Sequence, residues 1–305
     1  MQNAAPAARF CATTSAIHRL FDTLDAGPRA GFVCRAFPAP IRARVVFLIA
    51  EHMKLPFRSS LLAASLLALP AAIFAAESAT PRPIRALLIT GGCCHDYDLQ
   101  AKVLTEAANK AAAFTWTIVN EGGKGTRAQI PLYDNPDWAK PYDVIVHNEC
   151  FADTNDPAYI RKIAAAHKAG KPAVVIHCAM HTYRAATSDD WREFLGATSR
   201  RHDHQSKYPV HPVAKDHPIM RGFPDTWTTP LDELYVIEKL WPNAKALAVA
   251  KSEKDGNDYP VIWTNNFHGT RVFGTTFGHG NVTWHDPVFV NYVVNGLLWA
   301  AGRKD

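Results

Sequence analysis

Residues 84–119, IRALLITGGCCHDYDLQAKVLTEAANKAAAFTWTIV, decide the fold. The apolar run 84–90 reads as a buried strand that stops at Gly91-Gly92. Residues 99–113 then place Leu, Val and Ala at helical spacing, and 114–119 return to β-branched and aromatic side chains. This strand, helix, strand order repeats downstream. YDVIVH at 142–147 predicts a third strand, 158–169 a helix stopped by Gly170 and Pro172, and AVVIH at 173–177 a fourth strand. Near-continuous apolar strands alternating with helices predict an α/β domain whose mostly parallel sheet carries helices on both faces. Beyond Tyr183 the pattern weakens. Short strands are expected at 207–213, 244–250, 261–265 and 271–276, a loop over the sheet at 209–230, and a closing helix at 287–301 with Gly302 as its stop.

The rest of the chain fits around that domain. Of 305 residues, 48% are apolar and 20% charged, which is the composition of a soluble globular protein. The formal net charge is +5, but residues 1–76 hold 8 Lys and Arg against 3 Asp and Glu, whereas 77–305 hold 25 of each sign. A balanced domain argues against capture of a nucleic-acid backbone. Within the leader, Lys54 and Arg58 precede the apolar run LLAASLLALPAAIFAA at 61–76. That is a basic segment, a short apolar core and a small-residue end. It predicts a signal peptide at 53–76 cleaved near Ala75 or Ala76, not a stable membrane span, which needs about 20 apolar residues. Met53 is the expected initiator, residues 1–52 an extension of it, and 77–305 a single exported domain, periplasmic or extracellular. Four cysteines remain there: Cys93, Cys94, Cys150 and Cys178. Adjacent Cys93 and Cys94 are not expected to pair with each other, and without a CxxC motif a zinc ribbon is disfavoured.

Ligands of open α/β sheets bind beyond the carboxyl ends of the strands, and the polar residues of this chain collect there. His95, Asp96 and Tyr97 follow the first strand, His147 to Cys150 the third, His177, Cys178 and His181 the fourth, and His279 the strand at 271–276. Imidazole is the commonest transition-metal ligand. His177 and His181, spaced i, i+4, with His279 as a third nitrogen and Glu149 or Asp96 as an oxygen, form a candidate site for a zinc-like divalent metal. His202 and His204 are a second pair, read as solvated. Cys178 directly follows a strand, but its neighbours His177 and Ala179 are not the glycines of a nucleophile elbow, so a buried small residue is the better reading. Asp232-Glu233 after Pro230 could put a general base into the crevice. Tyr97, Tyr183 and Tyr235, with some of the eight tryptophans, could offer flat surfaces to sugar rings. Neither GxGxxG nor GxxxxGK[ST] occurs, so no nucleotide cofactor is expected.

Four stretches carry a resemblance: IRALLITGGCCHDY (84–97), GKPAVVIHCAMHTYR (170–184), KDHPIMRGFPDTWTTPLDELYVI (215–237) and GTRVFGTTFGHGNVTWHDPVFVNYVVNGLLWAAG (269–302). In this order they resemble the trehalose-utilisation (ThuA-like) domain, over essentially the whole of 84–302. The resemblance implies a flavodoxin-like fold related to class I glutamine amidotransferases, without their Cys-His-Glu machinery. It also implies a role in sugar catabolism, often alongside oxidoreductases that make 3-keto sugars. His95, His177, Asp232, Glu233 and His279 fall on the family's polar positions, while the Cys93-Cys94 pair and His181 depart from its pattern. The expectation is an enzyme acting on a small carbohydrate or 3-keto-glycoside by hydrolysis or β-elimination. His95, Glu149, His177 and Glu233 would be its catalytic groups, Asp96, Tyr97, Tyr183 and Asp232 its substrate contacts, and His177, His181 and His279 its metal ligands. The alternatives are a non-catalytic carbohydrate- or metal-binding module and a hydrolase using Cys178.

Overall fold

Strand β1 (Ile84–Gly92) lies at the centre of a parallel core. It pairs on one side with β2 (Phe114–Asn120) and on the other with β3 (Val144–Cys150). The computed structural model describes residues 82–303; the expected leader at 1–52 and signal segment at 53–76 lie outside the described residues. Helix α1 (Tyr97–Ala111) starts where the Asp96 carboxylate accepts the N–H of Leu99, and it buries Ala101, Leu104 and Ala108. Helix α2 (Pro157–Lys168) is capped the same way by Asp156, with Pro157 in its first turn. Strand β4 (Ala173–Ile176) then pairs parallel with β3.

After α3 (Asp190–Leu195) the topology changes. Strands β5 (Ala197–Ser206) and β8 (Asp232–Leu240) pair as a separate antiparallel ribbon. Strands β6 (Pro209–Pro212), β7 (Trp227–Thr228), β9 (Ala244–Lys251), β10 (Asp258–Phe267) and β11 (Thr270–Thr275) extend the main sheet. Its order is β2-β1-β3-β4-β11-β10-β9-β6-β7. β11 joins β4 in parallel; from β10 onward the pairing is antiparallel. The short helix α4 (Asn281–Trp284) and the closing helix α5 (Pro287–Ala300), capped by Asp286, complete the described chain.

Helices cover both faces, as the period of the sequence requires. Leu88, Val146, Val174 and Phe273 meet Leu104, Phe289, Tyr292 and Leu297 of α1 and α5 on one side. Leu87, Ile145 and Val175 meet Ile160, Ile163 and Phe194 of α2 and α3 on the other. Among the described residues no helix is long and apolar enough to cross a membrane.

Two departures from the sequence reading shape the site. β3 runs on to Cys150, so His147, Asn148 and Glu149 lie within the strand and not beyond its end. The ribbon was not expected at all. ATSRRHDHQS in β5 has no apolar alternation, and its place is set by pairing with β8.

Candidate active site

Three strand ends and the ribbon converge at the carboxyl edge. β1 delivers His95 through the turn at Gly92, whose φ is +95°. β4 ends in a sharp turn in which His177 itself takes a left-handed backbone, φ +48°, before a 3-10 turn over His177–Met180. The strained strand-to-turn position sought at Cys178 is thus held by His177. β11 delivers His279 from the loop after Thr275. The ribbon adds Asp232 and Glu233 at the start of β8, alternating so that Glu233 reaches the histidines.

One ring nitrogen each of His95, His177 and His279 lies within 4.8 Å of the other two. Nδ1–H of His177 donates to the Thr276 carbonyl at 2.6 Å, and Nδ1–H of His95 to the His279 carbonyl at 3.2 Å. A carbonyl only accepts, so both rings carry their proton on Nδ1 and offer a lone pair at Nε2. Metal-ligating imidazoles are oriented by this kind of second hydrogen bond. Glu233 Oε1 stands 3.4 Å from His279 Nδ1, an ion pair and not a well-formed hydrogen bond, and its Oε2 stands 3.8 Å from His177 Nε2. The Gln205 amide meets His279 Nε2 at 2.8 Å, and the Tyr235 hydroxyl reaches His177 Nε2 at 3.4 Å.

The charges follow from this packing. Burial first, then the neighbouring His177 and His279, pushes His95 down to about 3, and burial pushes His177 down to about 4. Both are neutral at pH 7. Burial opposes ionisation of Glu233, but His279, His177 and His202 outweigh it and hold the carboxyl at about 2. The Glu233 carboxylate in turn raises His279. The centre is therefore two neutral imidazoles beside a carboxylate paired with a third, more basic imidazole.

The other expected site residues divide. Asp96 borders a cleft of about 340 Å³ beside His95, with Asp98, Asn120 and Lys124. Tyr97 packs edge-on against His95 and donates its hydroxyl to the Cys93 carbonyl. Asp232 is fully buried and pushed up to about 6 by that burial, yet it accepts from Thr283 Oγ1 at 2.6 Å and from the N–H groups of Glu233, Gly278 and His279. It holds the His279 loop, and its oxygens are unavailable to a substrate. Glu149 is wholly buried and bound to His147 Nδ1 at 2.9 Å, while His147 Nε2 meets His167; this pair sits on the α2 and α3 face of the sheet. Tyr183, 1% exposed, packs on Tyr159 and Trp191 and cannot serve as a sugar platform.

His181 also stays out of the cluster. A 3-10 helix has about three residues per turn, so positions four apart do not face one way. His181 instead stacks on Tyr235 at 3.9 Å and meets Ser199 Oγ with its Nε2. His95 replaces it as the third imidazole. Sequence reasoning missed Gln205, which the unforeseen ribbon supplies. It offered Tyr235 as a sugar platform, but that ring is 1% exposed and turns its hydroxyl to His177. His202, read as solvated, keeps 39% of its side chain exposed while sitting 3.7 Å from Glu233. His204 does pair at the surface, with Glu253.

Gly278 fits His279 against the elbow. Its φ is +130°, and an added Cβ would meet Ile176 at 3.2 Å and His177 Cβ at 3.3 Å. Gly278→Ala is expected to cost about 1–3 kcal/mol in urea unfolding, through backbone strain and crowding. A cost below 0.5 kcal/mol would show that the loop relaxes freely.

The sulfurs lie at the same edge. Cys150 is bonded to Cys178, and, against the expectation for adjacent cysteines, Cys93 is bonded to Cys94, whose φ is +85°. With its sulfur bonded, Cys178 offers no nucleophile here.

A sequence model described as trehalose utilisation matches residues 85–300, which span the sheet, the ribbon and the histidine cluster. The chain belongs to the ThuA family. ThuA proteins are implicated in trehalose utilisation and sugar metabolism. A ThuA-like protein of Parabacteroides merdae is similar in fold, with a TM-score of 0.58 at 21% identity over 72% of this chain and 90% of that one. Another, from Bacteroides uniformis, has a TM-score of 0.55 at 18% identity over 72% and 91%. No curated protein matches the sequence. The ThuA fold here is a mixed sheet whose parallel half builds the edge that carries the histidines.

Proposed function

We propose that the cluster of His95, His177, His279 and Glu233 is a catalytic centre acting on a carbohydrate, by hydrolysis or β-elimination at a glycoside or 3-keto-glycoside. The convergence of three imidazole nitrogens within 4.8 Å beside an ionised carboxylate carries this reading. Family membership supplies the substrate class. The adjoining cleft, lined by Asp96, Asp98, Asn120 and Lys124, offers the donors and acceptors a sugar's hydroxyls need.

The residues divide the work by protonation state. A 3-keto group acidifies the neighbouring C–H, and abstraction of that proton expels a β-leaving group. The Glu233–His279 pair is the acid–base element: the carboxylate keeps His279 basic enough to take or return a proton near neutral pH. His177, fixed by Thr276 and 1% exposed, and His95, part-buried at the cleft, carry their lone pairs on Nε2. A zinc-like divalent metal fits this set. The three nitrogens, within 4.8 Å of one another, would close to about 3.4 Å around a tetrahedral ion with bonds of about 2.1 Å. His95, His177 and His279 would hold it, and when bound it would polarise a carbonyl or a water; His279 would then be a ligand, leaving Glu233 as the base.

The test quantifies metal in protein purified without chelator and screens glycosides and 3-keto-glycosides by mass spectrometry. Near-stoichiometric metal and turnover, both lost in His177→Asn, are expected. Undiminished binding of a sugar with no turnover of any substrate in the screen would favour a binding module instead.

A further inference from the structure

The four cysteines of the described domain form one file of sulfurs running from the surface to the histidine centre. Cys94 is exposed and borders the cleft beside His95, and Cys93 is half-buried. Cys150 and Cys178 are buried, 3% and 9% exposed. Cys94 is bonded to Cys93, and Cys150 to Cys178. Between the two bonds, Cys93 Sγ and Cys150 Sγ stand 3.7 Å apart, at van der Waals contact. At the inner end, Sγ of Cys178 and Sγ of Cys150 lie within 4.8 Å of a His95 ring nitrogen, and Cys178 directly follows His177. Three separate segments, the turn after β1, the end of β3 and the turn after β4, must meet to build this file. The proposed sugar chemistry uses none of it.

We propose that this file is a site of thiol–disulfide exchange, through which a dithiol reductant entering at Cys94 sets the redox state of Cys178 beside the histidines. Exchange needs a thiolate in contact with a disulfide sulfur and a route for the attacking thiol. Among the described cysteines Cys94 is the exposed one, with Cys93 half-buried behind it. A dithiol attacks Cys94 Sγ, the Cys93–Cys94 bond breaks, and Cys93 leaves as a thiolate. The second thiol of the reductant then releases Cys94 as a thiol and departs as a cyclic disulfide. The Cys93 thiolate, already touching Cys150, attacks its sulfur. The Cys93–Cys150 bond forms, the Cys150–Cys178 bond breaks, and Cys178 takes up a proton. Two electrons and two protons have entered from the dithiol. The protein has exchanged two disulfides for one, with free thiols at Cys94 and Cys178. The inference stands on the sulfur geometry and does not depend on the sugar chemistry.

The intact protein is treated with graded dithiothreitol, quenched in acid, alkylated with N-ethylmaleimide and digested without further reduction. Peptide mass spectrometry then identifies each link. The expected intermediate carries a Cys93–Cys150 crosslink with Cys94 and Cys178 alkylated. In Cys93→Ser/Cys94→Ser, checked for native circular dichroism, release of Cys178 is expected to slow at least tenfold. Three results would overturn the proposal: opening of Cys93–Cys94 with Cys150–Cys178 intact at every dithiothreitol concentration, equal Cys178 release in the double variant, or four free thiols in the aerobically purified protein before any reductant.

Discussion

Asp232→Ala is expected to destabilise the domain by about 3–5 kcal/mol, because it strands buried donors that have no other partner. The carboxylate is fully buried and accepts from Thr283 Oγ1 and from the backbone N–H groups of Glu233, Gly278 and His279. Alanine leaves a cavity lined by those donors, at a position that is 0% exposed. His279 would lose its place with them. Asp232→Asn, which keeps the shape and one acceptor oxygen, should recover part of the loss. Urea unfolding measures both variants, and an alanine variant within 1 kcal/mol of the parent would show that the loop does not depend on this anchor.

The second large effect is electrostatic. Glu233→Gln removes the charge that raises His279 and keeps the side-chain volume. The His279 titration, followed by NMR, is expected to fall, and turnover on whichever sugar the screen identifies should drop by about 10²- to 10⁴-fold, the usual weight of an acid–base group. Stability gives a separate readout. The folded-state value of Glu233, about 2, is depressed from its ordinary 4.5. Its contribution is therefore fully present above about 4.5 and is lost as pH falls toward 2, on the order of 2 kcal/mol. The stability gap between parent and Glu233→Gln should shrink over that window. A gap that is flat with pH would mean that the pairing of Glu233 with His279 contributes nothing net.

The site was legible in part. His95, His177, His279 and Glu233 stand out in the sequence because each sits just beyond an apolar strand run or at a turn before one. The errors have local causes. The i, i+4 spacing of His177 and His181 brings them together only on an α-helical turn, and the chain makes a 3-10 turn there. A third strand ending at His147 puts Glu149 in the crevice; the strand runs on to Cys150, and its two-residue period sends Glu149 to the α2 and α3 face with His147. Tyr183 reads as a sugar platform in the sequence because an aromatic after a strand reads alike whether it faces a cleft or a core, and this one is in the core.

The sequence by itself determined the parallel core, its helices and the edge at which the polar residues gather, since apolar periodicity is a local property written into consecutive residues. Only the tertiary structure decided which imidazoles meet, that Asp232 is an anchor and Glu233 a site group, and that four cysteines from three segments lie in file. Those outcomes depend on strand order and on a ribbon held by long-range pairing, and contacts between residues far apart in the chain leave no periodic trace in it.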